Sequence, residues 1–136
     1  MPCTTKTKIL VVDDDPKLSK LVKLVLEKTS QYDVLEENRS SQALGVARKF
    51  EPSLILLDVD MPGKDGGELA REMAVDSVLK KVPVMFFTSL VSHQEAGSNA
   101  IERAGKWYLA KPVMPEVLVR SVEYLLNLSR GVASAA

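Results

Sequence analysis

Short apolar runs alternate with longer amphipathic segments along this chain, and this alternation restricts the fold more than any other feature. Runs such as residues 9–12 and 54–57 contain only Ile, Leu and Val. A short apolar run bounded by turn residues predicts a strand that is buried on both faces. The intervening segments repeat apolar residues every three or four positions, which is typical of one helix face. Together they predict a parallel sheet covered by helices on both sides.

The predicted order is a strand followed by a helix, five times over, which is an α/β chain of the (βα)5 kind. We expect strands at residues 8–12, 32–36, 53–57, 83–87 and 107–110, and helices at residues 16–30, 40–50, 66–75, 94–104 and 115–129. In the first helix, Leu18, Leu21, Val22 and Val25 are expected to face the core, with Asp15 as the N-cap. The fourth helix is expected to be weak and mobile, because Gly97, Ser98 and Asn99 are poor helix formers.

Composition limits the class of protein. With 136 residues, 46% of them hydrophobic, the chain is expected to form a single domain over residues 1–136, with its core at about 6–130 and short flexible tails at both ends. Lysine plus arginine equals aspartate plus glutamate at 18 each, so no basic excess indicates direct binding to nucleic acid or membranes. Cys3 is the only cysteine, which excludes a disulfide framework and fits a cytoplasmic protein.

Acidic residues follow two of the predicted strands. Asp13 and Asp14 come directly after the first strand, and Asp58 comes after the third. The carboxyl ends of parallel strands are where open α/β sheets bind their ligands. Carboxylates gathered there repel one another unless a cation offsets their charge. The pattern therefore predicts a site for a hard cation beside a carboxylate that can act as a nucleophile.

Two further strand ends carry polar groups that suit phosphoryl transfer to a carboxylate. Thr88 follows the fourth strand and Lys111 follows the fifth. Phosphoryl transfer is catalysed mainly by positioning and by neutralising charge on the phosphoryl oxygens. An ammonium group and a hydroxyl group can each contact one of those oxygens, and a magnesium ion held by carboxylates can contact another.

These motifs, in this order, resemble those of the receiver domains of bacterial two-component response regulators. The matching segments are residues 9–14, 56–66, 87–89 and 108–112, and the resemblance extends over roughly residues 6–130. It implies a flavodoxin-like, doubly wound sheet of five parallel strands in the order 2-1-3-4-5. It also implies a phosphoacceptor regulatory domain rather than an enzyme that acts on separate substrates.

The resemblance implies a role for each motif residue. Asp58 would accept a phosphoryl group from a sensor histidine kinase or a histidine phosphotransfer protein. Lys111 would contact the resulting acyl phosphate, and Thr88 and Tyr108 would move together as a conformational switch. The implied ligands of Mg²⁺, or of Mn²⁺, are the side chains of Asp13, Asp14 and Asp58 and the backbone carbonyl of Asp60.

The last predicted helix carries apolar residues outside a single stripe. Val117, Tyr124 and Leu128 lie on the flank of the stripe that suits the core. Two interpretations remain open, a wide buried face or a surface for a protein partner or a homodimer. In the family that the chain resembles, the fourth and fifth helices with the strand between them form the output face.

Two other functions are compatible with parts of the pattern. Asp58, Val59 and Asp60 resemble the nucleophile motif of phosphohydrolases of the haloacid dehalogenase kind. That family has its nucleophile on the first strand and its second acidic pair after the lysine, whereas here the acidic pair comes first. An unphosphorylated scaffold is the other alternative, and the complete set of site residues argues against it.

Overall fold

A computed structural model describes residues 6–59, 66–88, 101–103, 106–111 and 113–129. The strands are β1 (Thr7–Val12), β2 (Tyr32–Glu37), β3 (Leu54–Asp58), β4 (Val84–Thr88), β5 (Ile101–Arg103) and β6 (Lys106–Ala110). The helices are α1 (Pro16–Glu27), α2 (Ser40–Phe50), α3 (Gly66–Ala74) and α4 (Pro115–Ser129). All five predicted strands are present, at β1, β2, β3, β4 and β6.

One six-stranded sheet forms the centre, in the order β2-β1-β3-β4-β6-β5. The five predicted strands pair in parallel, so the predicted order 2-1-3-4-5 is confirmed. Every residue of β3 is buried, as a strand in the middle of a sheet covered on both faces requires. The sequence pattern was therefore sufficient to predict both the layers and the parallel pairing.

Side chains from the two faces of the sheet form two separate apolar clusters. On one face, α1 and α4 pack against alternate strand residues that include Ile9, Leu56 and Phe87. On the other face, α2 and α3 pack against the intervening residues, among them Leu10 and Leu57. The alternation along each strand thus fixes which helix a side chain meets.

The first helix begins where the sequence predicts, and all its predicted core residues except Leu21 belong to the apolar cluster or pack against it. Asp15 is its N-cap, and the Asp15 carboxylate accepts a hydrogen bond of 3.0 Å from the Lys17 backbone N–H. Val22 and Leu26 are fully buried, whereas Leu21 is 43% exposed. The prediction that Leu21 faces the core is therefore wrong, because residues 22 and 26, one helical turn apart, define the buried stripe.

The predicted fourth helix, residues 94–104, is wrong at its end. Residues 101–103 form β5, which pairs antiparallel with β6 and brings Ile101 opposite Tyr108. An edge strand presents backbone groups that a neighbouring segment can pair with, and the poor helix formers Gly97, Ser98 and Asn99 precede this segment. Residues 94–100 lie outside the described part of the chain, so the predicted mobility of this helix stays a prediction. No helix in the described ranges has both the length and the apolar character needed to cross a bilayer.

Candidate functional site

Three carboxylates meet at the carboxyl edge of the sheet. Strands β1 and β3 are neighbours with Val12 opposite Leu57, so the residues that follow, Asp13 and Asp58, emerge side by side. One carboxylate oxygen from each of Asp13, Asp14 and Asp58 lies within 4.8 Å of the others. Asp13 and Asp58 are buried and Asp14 is exposed, so the cluster opens to solvent on one side. The predicted grouping of these three residues is present in the structure.

Burial dominates the electrostatic environment of Asp13. Its Oδ1 accepts a hydrogen bond of 2.8 Å from the Asp15 backbone N–H, but its buried Oδ2 receives none from the described residues. Burial raises the pKa of Asp13 to about 7, and the neighbouring Asp58 carboxylate adds to the rise. The Asp15 N–H and the Lys111 ammonium oppose the rise.

A divalent cation suits this arrangement. A buried carboxylate oxygen without a donor, beside two further carboxylates, is stabilised when a positive charge replaces the missing hydrogen bond. Carboxylate oxygens are the ligands that Mg²⁺ prefers in proteins. Asp13, Asp14 and Asp58 therefore fit the magnesium site that the sequence predicts, whereas Asp60 lies outside the described residues.

Lys111 joins the end of β6 to this cluster. Its Nζ donates a hydrogen bond of 2.8 Å to Asp58 Oδ1, and its side chain is 25% exposed. Its backbone N–H donates to the Thr88 carbonyl at 3.0 Å, which continues the β4–β6 pairing beyond the strands. A flexible ammonium group is thereby held beside one oxygen of the predicted nucleophile, where it can neutralise incoming negative charge.

Thr88 and Tyr108 lie on one face of the sheet beside the cluster. Thr88 is buried at the end of β4, the strand that pairs with β3. The Tyr108 ring stacks on the ring of Phe86 with 5.4 Å between centroids, and Phe86 shares a face of β4 with Thr88. Tyr108 therefore stacks on a ring that shares a sheet face with Thr88, while the coupled movement of Tyr108 and Thr88 stays a prediction.

Gly66 sets how closely α3 approaches Asp58. A Cβ atom built at Gly66 would lie 2.4 Å from the Asp58 carbonyl oxygen and 3.0 Å from Val59 Cα. The Gly66 N–H also donates to the Val59 carbonyl at 3.3 Å. Only glycine fits this contact, a requirement that we did not derive from the sequence because it depends on the distance between a helix and a strand end.

Asn38 is a second residue that the sequence analysis did not single out. It follows β2, and its Nδ2 donates to the Asp13 carbonyl at 2.8 Å and to Ser19 Oγ at 2.9 Å. Its contact with the acidic loop comes from the β1–β2 pairing, which no local pattern around residue 38 discloses. Asp15, in contrast, acts as the expected helix cap and is outside the group of three carboxylates.

The flank of the last helix is only partly buried. Val117 packs against the apolar cluster, whereas Tyr124 is 40% exposed and Leu128 is 41% exposed. The Tyr124 ring lies edge-on to Trp107, with 5.4 Å between the ring centroids. One of the three residues therefore joins the core, whereas a partner or dimer surface at the two exposed residues stays a prediction.

Comparison with known proteins gives a consistent set of relatives. A family model described as the response regulator receiver domain matches residues 9–123. The DNA-binding response regulator MtrA of Mycolicibacterium smegmatis is 34% identical over 124 residues, which are 91% of this chain and 52% of MtrA. Protein PilH of Pseudomonas aeruginosa is 31% identical over 120 residues, which are 88% of this chain and 97% of PilH. The chain thus spans about half the length of MtrA and of several other curated relatives.

Solved structures with the same fold cover most of the chain. The chemotaxis response regulator CheY4 of Vibrio cholerae superposes with a TM-score of 0.75 at 28% identity, over 89% of this chain and 99% of CheY4. A putative response regulator from Chloroflexus aurantiacus gives the same TM-score and identity, over 90% and 98%. These similarities extend over the strands that carry the acidic cluster and Lys111.

Proposed function

This chain belongs to the response regulator receiver domain family, and from this premise we propose that Asp58 accepts a phosphoryl group from a phosphohistidine. Receiver domains are regulatory phosphoacceptors of two-component systems, and magnesium-dependent phosphoryl transfer is general to them. The observation that carries the assignment is the contact of 2.8 Å between Lys111 Nζ and Asp58 Oδ1, in a cluster where one carboxylate oxygen from each of Asp13, Asp14 and Asp58 lies within 4.8 Å of the others. The match to this family also disfavours the phosphohydrolase alternative.

The proposed reaction moves one phosphoryl group between two protein side chains. An oxygen of Asp58 forms a bond to phosphorus while the phosphorus–nitrogen bond breaks, and its electron pair stays on the imidazole of the donor. Lys111 is already in contact with Asp58, so its ammonium can follow the negative charge of the phosphoryl oxygens. The donor is a sensor histidine kinase or a histidine phosphotransfer protein, as is usual for receiver domains.

The acidic residues of the same site are suited to bind a divalent cation. We assign Asp13, Asp14 and Asp58 as the side chains that hold Mg²⁺, or Mn²⁺. When bound, the cation neutralises phosphoryl charge that Lys111 alone cannot balance. Asp13 would offer to this cation its buried Oδ2, which receives no hydrogen bond from the described residues. Water attack on the phosphorylated Asp58 later returns the carboxylate and inorganic phosphate in a slow reaction of the domain itself.

Phosphorylation then alters the surface through Thr88 and Tyr108. The Thr88 hydroxyl donates to the phosphoryl group in this proposal, and Tyr108 follows because its ring stacks on Phe86 along the same face. The exposed Tyr124, whose ring lies edge-on to Trp107 of β6, and the exposed Leu128 suit a protein partner or a second copy of the chain. A net charge of zero makes nucleic acid a poor direct partner, and the single cysteine suits the reducing cytoplasm.

Phosphoryl incorporation tests the function directly. Incubation with magnesium and acetyl phosphate, followed by intact-mass measurement, is expected to add one phosphoryl group. Asp58→Asn abolishes the addition, because an amide is not a nucleophile of comparable strength. Asp76→Asn, which removes a buried aspartate remote from the cluster, is the matched control and keeps it.

Two results contradict the proposal. Labelling of Asp58→Asn at the wild-type level shows that another residue is the acceptor. Continuous turnover of a small phosphomonoester substrate by the wild-type protein supports a phosphohydrolase instead.

A further inference from the structure

A hydrogen-bonded chain of side chains lies directly behind the acidic cluster. Asn38 donates to the Asp13 carbonyl at 2.8 Å and to Ser19 Oγ at 2.9 Å. The Ser19 hydroxyl donates to Glu36 Oε1 at 2.8 Å, and Ser19 is fully buried. The chain therefore runs from a carboxylate at the end of β2, across the start of α1, to the backbone of the loop that carries Asp13 and Asp14.

The direction of each hydrogen bond in this chain is determined. A carbonyl oxygen and an ionised carboxylate only accept, so Asn38 must present its NH₂ group to Asp13 and Ser19 must donate its proton to Glu36. The remaining lone pairs of Ser19 Oγ are then free to accept from Asn38. Its two acceptors hold the Asn38 amide in a single orientation, while the Ser19 hydroxyl has the Pro16 carbonyl at 3.3 Å as a second, longer acceptor besides Glu36.

Asn38 holds the one peptide group that links the two loop carboxylates. The Asp13 carbonyl belongs to the planar unit that joins the Cα atoms of Asp13 and Asp14, so the hydrogen bond from Asn38 restrains the peptide plane to which both residues are attached. The Asp13 N–H is already held by the Glu37 carbonyl at 3.2 Å, as an extension of the β1–β2 pairing. That N–H belongs to the peptide group that precedes Asp13, whereas Asn38 holds the peptide group that follows it, so Asp13 is restrained on both sides.

We propose that Asn38, supported by Ser19 and Glu36, is a positioning residue that aims the Asp13 and Asp14 carboxylates at a common divalent cation. This role rests on the proposed function, because it acts on the same cation site. Asn38 contacts neither the cation nor Asp58 in this scheme. Its removal therefore lowers the affinity for magnesium without changing the nucleophile or the ammonium group beside it.

Magnesium binding measured by calorimetry tests the role. Asn38→Ala is expected to weaken magnesium binding about tenfold, the lower end of the range for residues that orient metal ligands. Ser19→Ala, which keeps Asn38 but removes its support, is expected to weaken it about threefold. Ser19→Ala also keeps the question testable if Asn38→Ala does not fold.

Thr29→Ala is the matched control. Thr29 also makes two local hydrogen bonds, donating to the Leu26 carbonyl at 2.8 Å and accepting from the Gln31 N–H at 3.2 Å, but at the far end of α1. It is expected to keep wild-type magnesium affinity even where it lowers the free energy of unfolding. General destabilisation is thereby separated from loss of positioning.

Two further measurements distinguish positioning from a purely structural role. In the metal-free protein, Asn38→Ala is expected to speed hydrogen exchange at the Asp15 amide, which is bonded to Asp13 Oδ1. At limiting magnesium the rate of Asp58 labelling by acetyl phosphate falls, and at saturating magnesium it returns to the wild-type rate. Loss of rate that saturating magnesium does not restore contradicts the proposal.

The outcomes separate this inference from the function on which it rests. Wild-type protein that binds magnesium and is labelled at Asp58, with Asn38→Ala and Ser19→Ala binding equally well, overturns the role of Asn38 alone. An equal loss of affinity in Thr29→Ala also overturns it. Wild-type protein that neither binds magnesium nor is labelled overturns the proposed function and this inference together.

Discussion

Two buried aspartates, one at the carboxyl ends of the parallel strands and one at their amino ends, have opposite electrostatic surroundings. Asp13 follows β1 at the carboxyl edge of the sheet, and Asp76 follows α3 at the edge where β4 begins. The Asp76 carboxylate accepts hydrogen bonds from the Arg48 guanidinium and from the N–H groups of Val78 and Leu79. Asp13 accepts one hydrogen bond at Oδ1 and none from the described residues at Oδ2.

The difference in donors has the expected effect on acidity. The hydrogen bond from Arg48, helped by the two N–H groups, holds the pKa of Asp76 below its usual range. Burial raises the pKa of Asp13 to about 7. A buried carboxylate thus supports the fold where donors surround it, as at Asp76. Where donors are missing, as at Asp13, the carboxylate destabilises the metal-free protein and is available to a cation.

The largest expected difference between the two regions is in magnesium affinity. Asp14→Asn is expected to weaken binding by about a hundredfold, since a charge pair at contact distance contributes roughly 1–4 kcal/mol at intermediate permittivity. Asp76→Asn and Asp15→Asn are expected to keep the wild-type affinity, because both act in helix or turn capping. Calorimetric titration measures all three. Wild-type affinity in Asp14→Asn means that the ligand set is wrong.

The next largest expected effect is a difference in packing between Gly66, beside the acidic cluster, and Gly45 in α2. Gly66→Ala is expected to lower the free energy of unfolding by about 2 kcal/mol, because the new methyl group overlaps the backbone of Asp58. Gly45→Ala is the control, since no atom lies within 4 Å of a Cβ there, and it is expected to raise that free energy by about 0.5–1 kcal/mol. Urea denaturation measures both. Equal stability of the two variants rules out the tight contact at Asp58.

The smallest expected effect is the pH dependence of stability. The folded-state pKa of Asp13 lies above its value of 3.8 in an unfolded chain, so between those values the unfolded state loses its proton first. Stability of the metal-free protein therefore falls as pH rises towards 7. Asp13→Asn removes this loss, so its advantage over wild type is expected to be about 1–2 kcal/mol greater at pH 8 than at pH 5.

The contribution of Asp76 to stability is expected to change with pH in the opposite direction. Its folded-state pKa is lowered, so the stability that it contributes is present above its unfolded pKa and is lost as pH falls through the folded one. The cost of Asp76→Asn is therefore expected to be constant between pH 5 and pH 8 and to shrink only in stronger acid. Parallel pH profiles for Asp13→Asn and Asp76→Asn contradict the contrast between the two regions.

Patterns in the sequence were sufficient to predict most of the framework. Apolar runs such as residues 9–12 admit few structures other than a buried strand, and parallel pairing follows when helices separate the strands. Because the carboxyl ends of parallel strands share one edge, the meeting of Asp13, Asp58 and Lys111 follows from that topology. These inferences need only the local pattern and the rule by which it assembles.

Local signals were insufficient where two segments compete or where a helix face is broad. Residues 101–103 have a helix-compatible sequence, yet they pair with β6 because the last parallel strand presents an open edge. Leu21 fits an apolar stripe as well as Leu26 does, and only packing against the sheet selects Leu26. The resulting free-energy differences come from tertiary contacts, which propensity does not include.

The sequence by itself determined that the strands pair in parallel, the edge at which the reactive groups gather and the kinds of group found there, because periodicity and strand ends are properties of neighbouring residues, whereas the order of the strands came from the family resemblance. Only the tertiary structure decided that Asn38 holds the Asp13 carbonyl, that Gly66 touches Asp58 and that Asp13 Oδ2 has no donor among the described residues while Asp76 has several donors. Each of these depends on distances of about 3 Å between segments remote in sequence, and hydrogen bonds and steric contacts change within fractions of an ångström.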